Sequence, residues 1–152
     1  MRLDLRERPM TERITIQLQR AICERQLKKP DRAYARLHDL PRVGIRFEMP
    51  RGFERLEWFG RGPPESYWDR KAGAPMGRYA GSVDDQYHRY VMPQENGNKT
   101  DTRWFSLCRK EETGLLVGSV RPFEFGVSHY SGPDLHAARH INELRARAET
   151  FV

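Results

Sequence analysis

Cysteine is scarce in this chain. Its 152 residues include two, Cys23 and Cys108, with no Cys-x-x-Cys spacing. That argues against a disulfide framework and against a cysteine zinc site, and the expectation is two free thiols in a reducing cytosol. Long apolar runs are lacking as well. The longest, Gly114 to Val120, falls far short of the ~20 residues that a membrane-spanning helix requires. Arg2, Asp4, Arg6, Glu7 and Arg8 interrupt the N-terminus at once, so it carries no apolar signal core. There is no internal repeat and no low-complexity segment. These absences lead to the expectation of a soluble, cytoplasmic chain, long enough for one domain with a core of its own.

Charge, by contrast, is plentiful: 32% of residues are Asp, Glu, Lys or Arg, 38% are hydrophobic, and the formal net charge is +6. The excess is uneven. Residues 1–40 hold ten Lys/Arg against six Asp/Glu, and the remainder 17 against 15. A nearly balanced body gives no reason to expect nucleic acid as a partner. In the basic head, acidic residues are interspersed among Arg20, Arg25, Lys28, Lys29, Arg32 and Arg36, so a solvated segment is favoured over a site for anionic polymers.

Residues 1–39 and 40–152 differ in texture and are read as an unassigned head and a sandwich domain. In the head, Ile14, Leu18, Ile22 and Leu27 recur at near-helical spacing, which suits a helix over 11–27. The alternative is a strand, with Ile14 and Ile16 alternating with Thr15 and Gln17. From Leu40 the period becomes two: Val43, Ile45, Phe47 and Met49 alternate with Arg42, Arg46 and Glu48, and Leu56 and Trp58 continue beyond a Pro50-Arg51-Gly52 turn. Further strands are expected over Tyr87–Met92, Thr102–Cys108, Leu115–Val120 and Phe123–Tyr130, with a hairpin turn at Glu111–Gly114 and a short helical turn opened by Ser131. Many short strands joined by Gly/Pro turns make an all-β antiparallel sandwich the expected fold.

Three motifs follow one another in the body. The first is Gly60-Arg61-Gly62-Pro63-Pro64-Glu65-Ser66-Tyr67-Trp68-Asp69-Arg70. The second is Tyr90-Val91-Met92-Pro93-Gln94-Glu95-Asn96-Gly97-Asn98 with Asp101-Thr102-Arg103-Trp104. The third is Ser128-His129-Tyr130 with Asp134-Leu135 and His140. In this order they resemble the C-terminal small-chain sandwich (fifth domain) of bacterial β-galactosidases of glycoside hydrolase family 2, from about Leu40 to Val152. The resemblance implies an antiparallel super-sandwich of the galactose mutarotase-like type, here incomplete. The head does not align with it, and a chain whose native beginning was replaced is the expectation there. It also implies retaining hydrolysis of terminal β-galactosides such as lactose as the activity of the whole enzyme. In that family the catalytic carboxylates sit on a separate (β/α)8 barrel whose flanking motifs are absent here. The magnesium and sodium of the family belong to that barrel, so no cofactor is expected in this chain. The Gly-Gly-Asp-Asp-Ser-Trp motif that follows in the family is not reached before Val152, which is read as truncation.

Sugar sites combine hydroxyl-binding carboxylates, amides and guanidinium groups with an aromatic face. Arg61, Glu65, Tyr67, Asp69, Arg70, Glu95, Asn96, Arg103, Trp104 and His140 supply such a set, alongside Asn98, Trp58 and Trp68. The plainer account is a network of ion pairs and caps that fixes long loops, and it is favoured. No catalytic residue is assigned. A retaining pair needs two carboxylates about 5–5.5 Å apart, for which Glu65 and Glu95 are the only candidates with motif context, and a mutarotase-like Glu95/His140 pair has no motif behind it. His136 and His140 stand four apart but lack a third ligand at convincing spacing, so no metal site is assigned. The expected role is a complementing small subunit or fragment whose partner is a β-galactosidase large chain, or a second copy of itself, with Phe123, Phe125 and Val127 at risk of exposure. The other reading is a stand-alone carbohydrate-binding module that stacks a galactoside on Trp58, Trp68 or Trp104.

Overall fold

The computed structural model describes residues 2–4, 15–18, 44–109 and 114–152. Eight strands are present among them: β1 (Arg2–Asp4), β2 (Thr15–Leu18), β3 (Ile45–Met49), β4 (Phe53–Arg61), β5 (Met76–Ser82), β6 (Lys99–Arg109), β7 (Gly114–Phe125) and β8 (Thr150–Phe151). They form a five-stranded sheet in the order β1-β7-β6-β4-β5 and a three-stranded sheet in the order β2-β3-β8. Every pairing is antiparallel. This is the all-β sandwich expected from the strand-and-turn pattern. No helix among the described residues is long and apolar enough to cross a membrane.

Alternation builds the core. In β4, Leu56 and Trp58 point inward while Arg55, Glu57 and Phe59 face out; Phe105 and Leu107 of β6 and Leu115 and Val117 of β7 lie beside them in register. Phe47 and Met49 join the cluster from β3 of the three-stranded sheet, and Phe53, Val83, Phe125 and Val127 complete it. At Gly60 the two central strands approach so closely that a Cβ would lie 2.7 Å from Thr102 Oγ1, which requires glycine there.

Several expectations change. Thr15–Leu18 is a strand paired with β3 from Thr15↔Glu48 to Leu18↔Ile45, so of the two readings of this part of the head the alternating one holds and the helical one does not. The rest of 11–27 lies outside the described residues, as does most of the turn at Glu111–Gly114. Tyr87–Met92 is not a strand: it follows a 3-10 turn at Asp84–Gln86 and leaves Val91 and Met92 exposed. Its backbone is tied by side chains instead, His88 N–H donating to Asn96 Oδ1 at 3.0 Å. Leu115–Val120 and Phe123 belong to one strand through Pro122, whereas the predicted extension to Tyr130 stops at Phe125. Proline is accepted at 122 because no ladder partner among the described residues faces it: β1 pairs with β7 at Leu116–Gly118, and the β6 pairing passes from Gly118 to Phe123. Strand β5 escaped notice because Gly77, Ala80 and Gly81 have poor strand propensity; its seven-pair ladder with β4 makes it. Phe125 and Val127 are buried and Phe123 packs against the core, which corrects the expectation that they are exposed. The helical turn at Ser131 is present as α1 (Gly132–Ala137). Ser131 accepts from the Asp134 N–H at 3.2 Å and the Asp134 carboxylate reaches back to the Ser131 N–H at 3.3 Å, a full capping box.

Candidate functional site

The first motif begins where β4 ends. The Trp58 indole N–H donates to the Arg61 carbonyl at 3.0 Å and turns the chain out of the sheet. Arg61 then reaches across to β6: Nε lies 2.6 Å from Asp101 Oδ2, and Nη1 donates to the carbonyls of Ala74 at 3.0 Å and Lys71 at 3.3 Å. Lys71 Nζ takes the other Asp101 oxygen at 2.8 Å. Lys71 and then Arg61 hold the Asp101 carboxyl below the ordinary carboxylate range. Arg61 before the 62–75 loop and Lys71 within it are thus anchored on one carboxylate, and Arg61 holds the loop's end through the Ala74 carbonyl.

Glu65 does the same for the second motif. Its carboxylate accepts from Arg70 Nη2 at 2.6 Å, from the Gly97 amide at 2.8 Å and, through a short contact, from the Tyr90 hydroxyl. Burial pushes this carboxyl up, but the bonds from Tyr90 and Gly97 and the charge of Arg70 outweigh it, leaving its pKa below the usual value. Gly97 adopts φ 76°, and a Cβ there would meet the Gln86 carbonyl at 2.5 Å. Only glycine brings its amide to Glu65. Arg70 lies over the Tyr67 ring at 5.1 Å, and the Tyr67 hydroxyl donates to the Glu95 carbonyl at 3.4 Å. Burial and then the charges of Glu65 and Glu95 raise the Tyr67 pKa, so the phenol stays protonated. Beneath them Ser66 and Thr100 hydroxyls pair at 2.9 Å, and Asn98 Nδ2 donates to the Ser66 carbonyl and Glu124 Oε2, each at 2.9 Å.

The sequence-derived set therefore divides. Arg61, Glu65, Tyr67, Arg70 and the backbone of Glu95 form two adjoining clamps, with Asn96 tying the second loop to itself through Gln94 at 2.9 Å. Asp69 is exposed. Arg103 and Trp104 lie on β6 facing out, Arg103 donating to the Val120 carbonyl at 3.4 Å and Trp104 lying under Arg78 at 5.8 Å. His140 is exposed beyond α1, and because α1 ends at Ala137 it does not share a helical face with His136.

Sequence reasoning missed Tyr90 and Lys71 as clamp members, and above all Lys99. Lys99 is 2% exposed, donates to the Pro63 carbonyl at 3.0 Å and places its ammonium 5.2 Å from the Trp58 ring. Burial pulls its pKa down to about 8, against a smaller opposing pull from Glu65. Each pKa unit is worth ~1.4 kcal/mol, so carrying this charge inside costs on the order of 3 kcal/mol. Its sign is fixed: a lysine whose folded pKa is depressed binds its proton more tightly when unfolded, so stability rises with pH between about 8 and 10.5. Chemical denaturation across that interval should show the rise in the wild type and a much flatter profile in Lys99→Met. Matching slopes in the two proteins would refute it.

The clamp bonds tie loops to strands and to one another. A general acid needs a raised pKa, yet that of Glu65 is lowered and all its donors are structural. Trp58 is 1% exposed, which removes it as a sugar-stacking face and corrects that candidacy; Trp68, 81% exposed, is the tryptophan that stands in solvent. No group of three or more metal-ligating side chains converges among the described residues.

Two packed antiparallel sheets whose loops are held by arginine–carboxylate clamps define a β-sandwich module. Residues 9–152 match the family model described as β-galactosidase small chain, and the chain belongs to that family. It is 41% identical over 114 residues to a β-galactosidase of Priestia megaterium, covering 75% of this chain and 11% of that one. It is 42% identical over 116 residues to a β-galactosidase of Vibrio cholerae, covering 76% and 11%. For a β-galactosidase of Kluyveromyces lactis the identity is 42% over 98 residues, covering 63% and 9%. The chain thus spans about a tenth of the length of the curated relatives it matches. The family match starts at residue 9, well before Leu40, and β2 lies within it.

Proposed function

We propose that this chain serves as the small-chain sandwich of a β-galactosidase, working in the cytoplasm to complete a catalytic chain rather than hydrolysing galactosides itself. One observation carries this reading: in a chain of the small-chain family, the motif carboxylate Glu65 is fully engaged in holding loops, with its pKa moved away from what an acid catalyst requires. The exposed side chains of Val91, Met92 and Val120 offer apolar surface for a partner chain to cover.

Mixing decides it. The purified chain alone should not turn over a nitrophenyl galactoside, and a β-galactosidase large chain lacking this domain should gain activity when the chain is added. Turnover by the chain alone that disappears in Glu65→Gln or Glu95→Gln would overturn the proposal. A second reading, a module that binds galactosides directly, is favoured by the exposure of Trp68. It requires a change in tryptophan fluorescence with galactose or lactose that is lost in Trp68→Ala.

A further inference from the structure

His129 lies buried between β7 and α1, and each of its ring nitrogens faces an acceptor. Nδ1 is 3.0 Å from the Glu149 carbonyl and Nε2 is 2.8 Å from Glu54 Oε2. Carbonyl and carboxylate oxygens accept only, and a neutral imidazole has a single N–H. Either neutral tautomer of this residue, itself only 8% exposed, therefore sets a lone pair against an oxygen. The imidazolium donates at both ends.

The charges around the ring agree. Glu54 faces it from β4, and Asp84 faces it from the 3-10 turn with Oδ1 at 3.9 Å. The segment leading into β8 presents the Glu149 carbonyl. Arg147 of that segment donates its amide to the His129 carbonyl at 2.8 Å, while its guanidinium is paired with Asp134 at 2.7 and 2.8 Å.

What His129 joins gives the contact its consequence. Glu54 belongs to the five-stranded sheet, and Glu149 immediately precedes β8 of the three-stranded one. Beside them Ser128 and Phe151 exchange two backbone bonds, at 2.9 and 2.8 Å, and Thr150 Oγ1 donates to the Phe53 carbonyl at 3.0 Å. We propose that His129 is a proton-operated latch between the two sheets: as the imidazolium it ties the β8 segment to the start of β4, and loss of the proton loosens that end of the sandwich.

Burial lowers the His129 pKa, but the Glu149 bond and the charges of Glu54 and Asp84 raise it more, so the folded value lies above 6.5. A raised folded pKa means that the stabilisation is fully present below 6.5 and is lost as pH rises through the folded value.

The test uses the full chain: NMR titration of the imidazole signals, with thermal melts across the same pH range, for wild type, Glu54→Gln and His129→Gln. The expected result is a His129 midpoint above 6.5, lowered by about one pH unit in Glu54→Gln, where the charge is gone and the amide can donate to a neutral ring. The gap in melting temperature between wild type and His129→Gln should be widest at low pH and close above the midpoint. A wild-type midpoint at or below 6.5, a midpoint indifferent to Glu54→Gln, or a gap of equal size at every pH would overturn the latch. Should His129→Gln fail to fold, the Glu54→Gln titration decides alone, since Glu54 is about half exposed and its replacement buries nothing new.

Discussion

Glu65→Gln is expected to lower folding stability by about 2–4 kcal/mol and to free the loop over residues 87–98 before the sheets give way. The reason is the donor count. Three close donors, the Arg70 guanidinium, the Tyr90 hydroxyl and the Gly97 amide, and a fourth at 3.5 Å, the Tyr67 hydroxyl, converge on one carboxylate whose side chain is 11% exposed. Glutamine keeps the shape but offers a single acceptor oxygen and sets an NH2 group against groups that also donate. Arg70 can return to water because its side chain is 58% exposed; the Gly97 amide is buried and cannot. Hydrogen exchange at Gly97 should therefore accelerate more than exchange in β6, which distinguishes local release from general destabilisation. A second readout has a definite sign. The Glu65 pKa is lowered on folding from 4.5, so its contribution is present above that value and is lost as pH falls through the folded one. Acidification should narrow the gap between wild type and Glu65→Gln. Equal melting of the two proteins at neutral pH would show that the carboxylate is not the pin.

The sequence made the sheets legible where alternation was strict and one face was buried, as in β3, β4 and β6. It failed where tertiary pairing alone makes the strand. Gly77, Ala80 and Gly81 say nothing of β5, and Tyr87–Met92 has the composition of a strand but no ladder partner among the described residues. Of the site, the motif residues Arg61, Glu65, Tyr67 and Arg70 do come together, because Gly60, Pro63 and Gly97 fix the backbone that carries them. Their partners were less visible. Asp101 stands 40 residues from Arg61 and Gly97 stands 32 from Glu65, separations that only the fold closes. Lys99 gave no signal at all, since nothing in a single sequence separates a buried lysine from the many exposed ones. Lys99 and His129 are both placed inside by contacts that only the fold supplies: the Pro63 carbonyl and the Trp58 ring for Lys99, the Glu149 carbonyl and the Glu54 carboxylate for His129, which its motif names without these partners.

Trp58 is where reading by composition and reading by structure differ most, and its replacement should have the largest effect in the chain. As one of three tryptophans in a sugar-related sequence it invites a stacking role. In the fold it is 1% exposed, lies 5.4 Å from the Tyr79 ring and 6.5 Å from Phe125, supports the Lys99 ammonium and bonds the Arg61 carbonyl. Trp58→Ala removes core volume between β4 and β6 and is expected to cost about 3–5 kcal/mol from the cavity alone. It also strips Lys99 of the aromatic face that partly offsets its burial, so the variant should regain stability at alkaline pH, where the lysine is neutral. Trp68→Ala, at a side chain 81% exposed, should shift stability by no more than ~0.5 kcal/mol. Urea denaturation of the two variants side by side gives the contrast directly. Comparable, small losses in both would mean that Trp58 is not the keystone of the sandwich. A large loss in Trp58→Ala with an unaltered Trp68→Ala would leave Trp68 as the tryptophan free to meet a sugar or a partner chain.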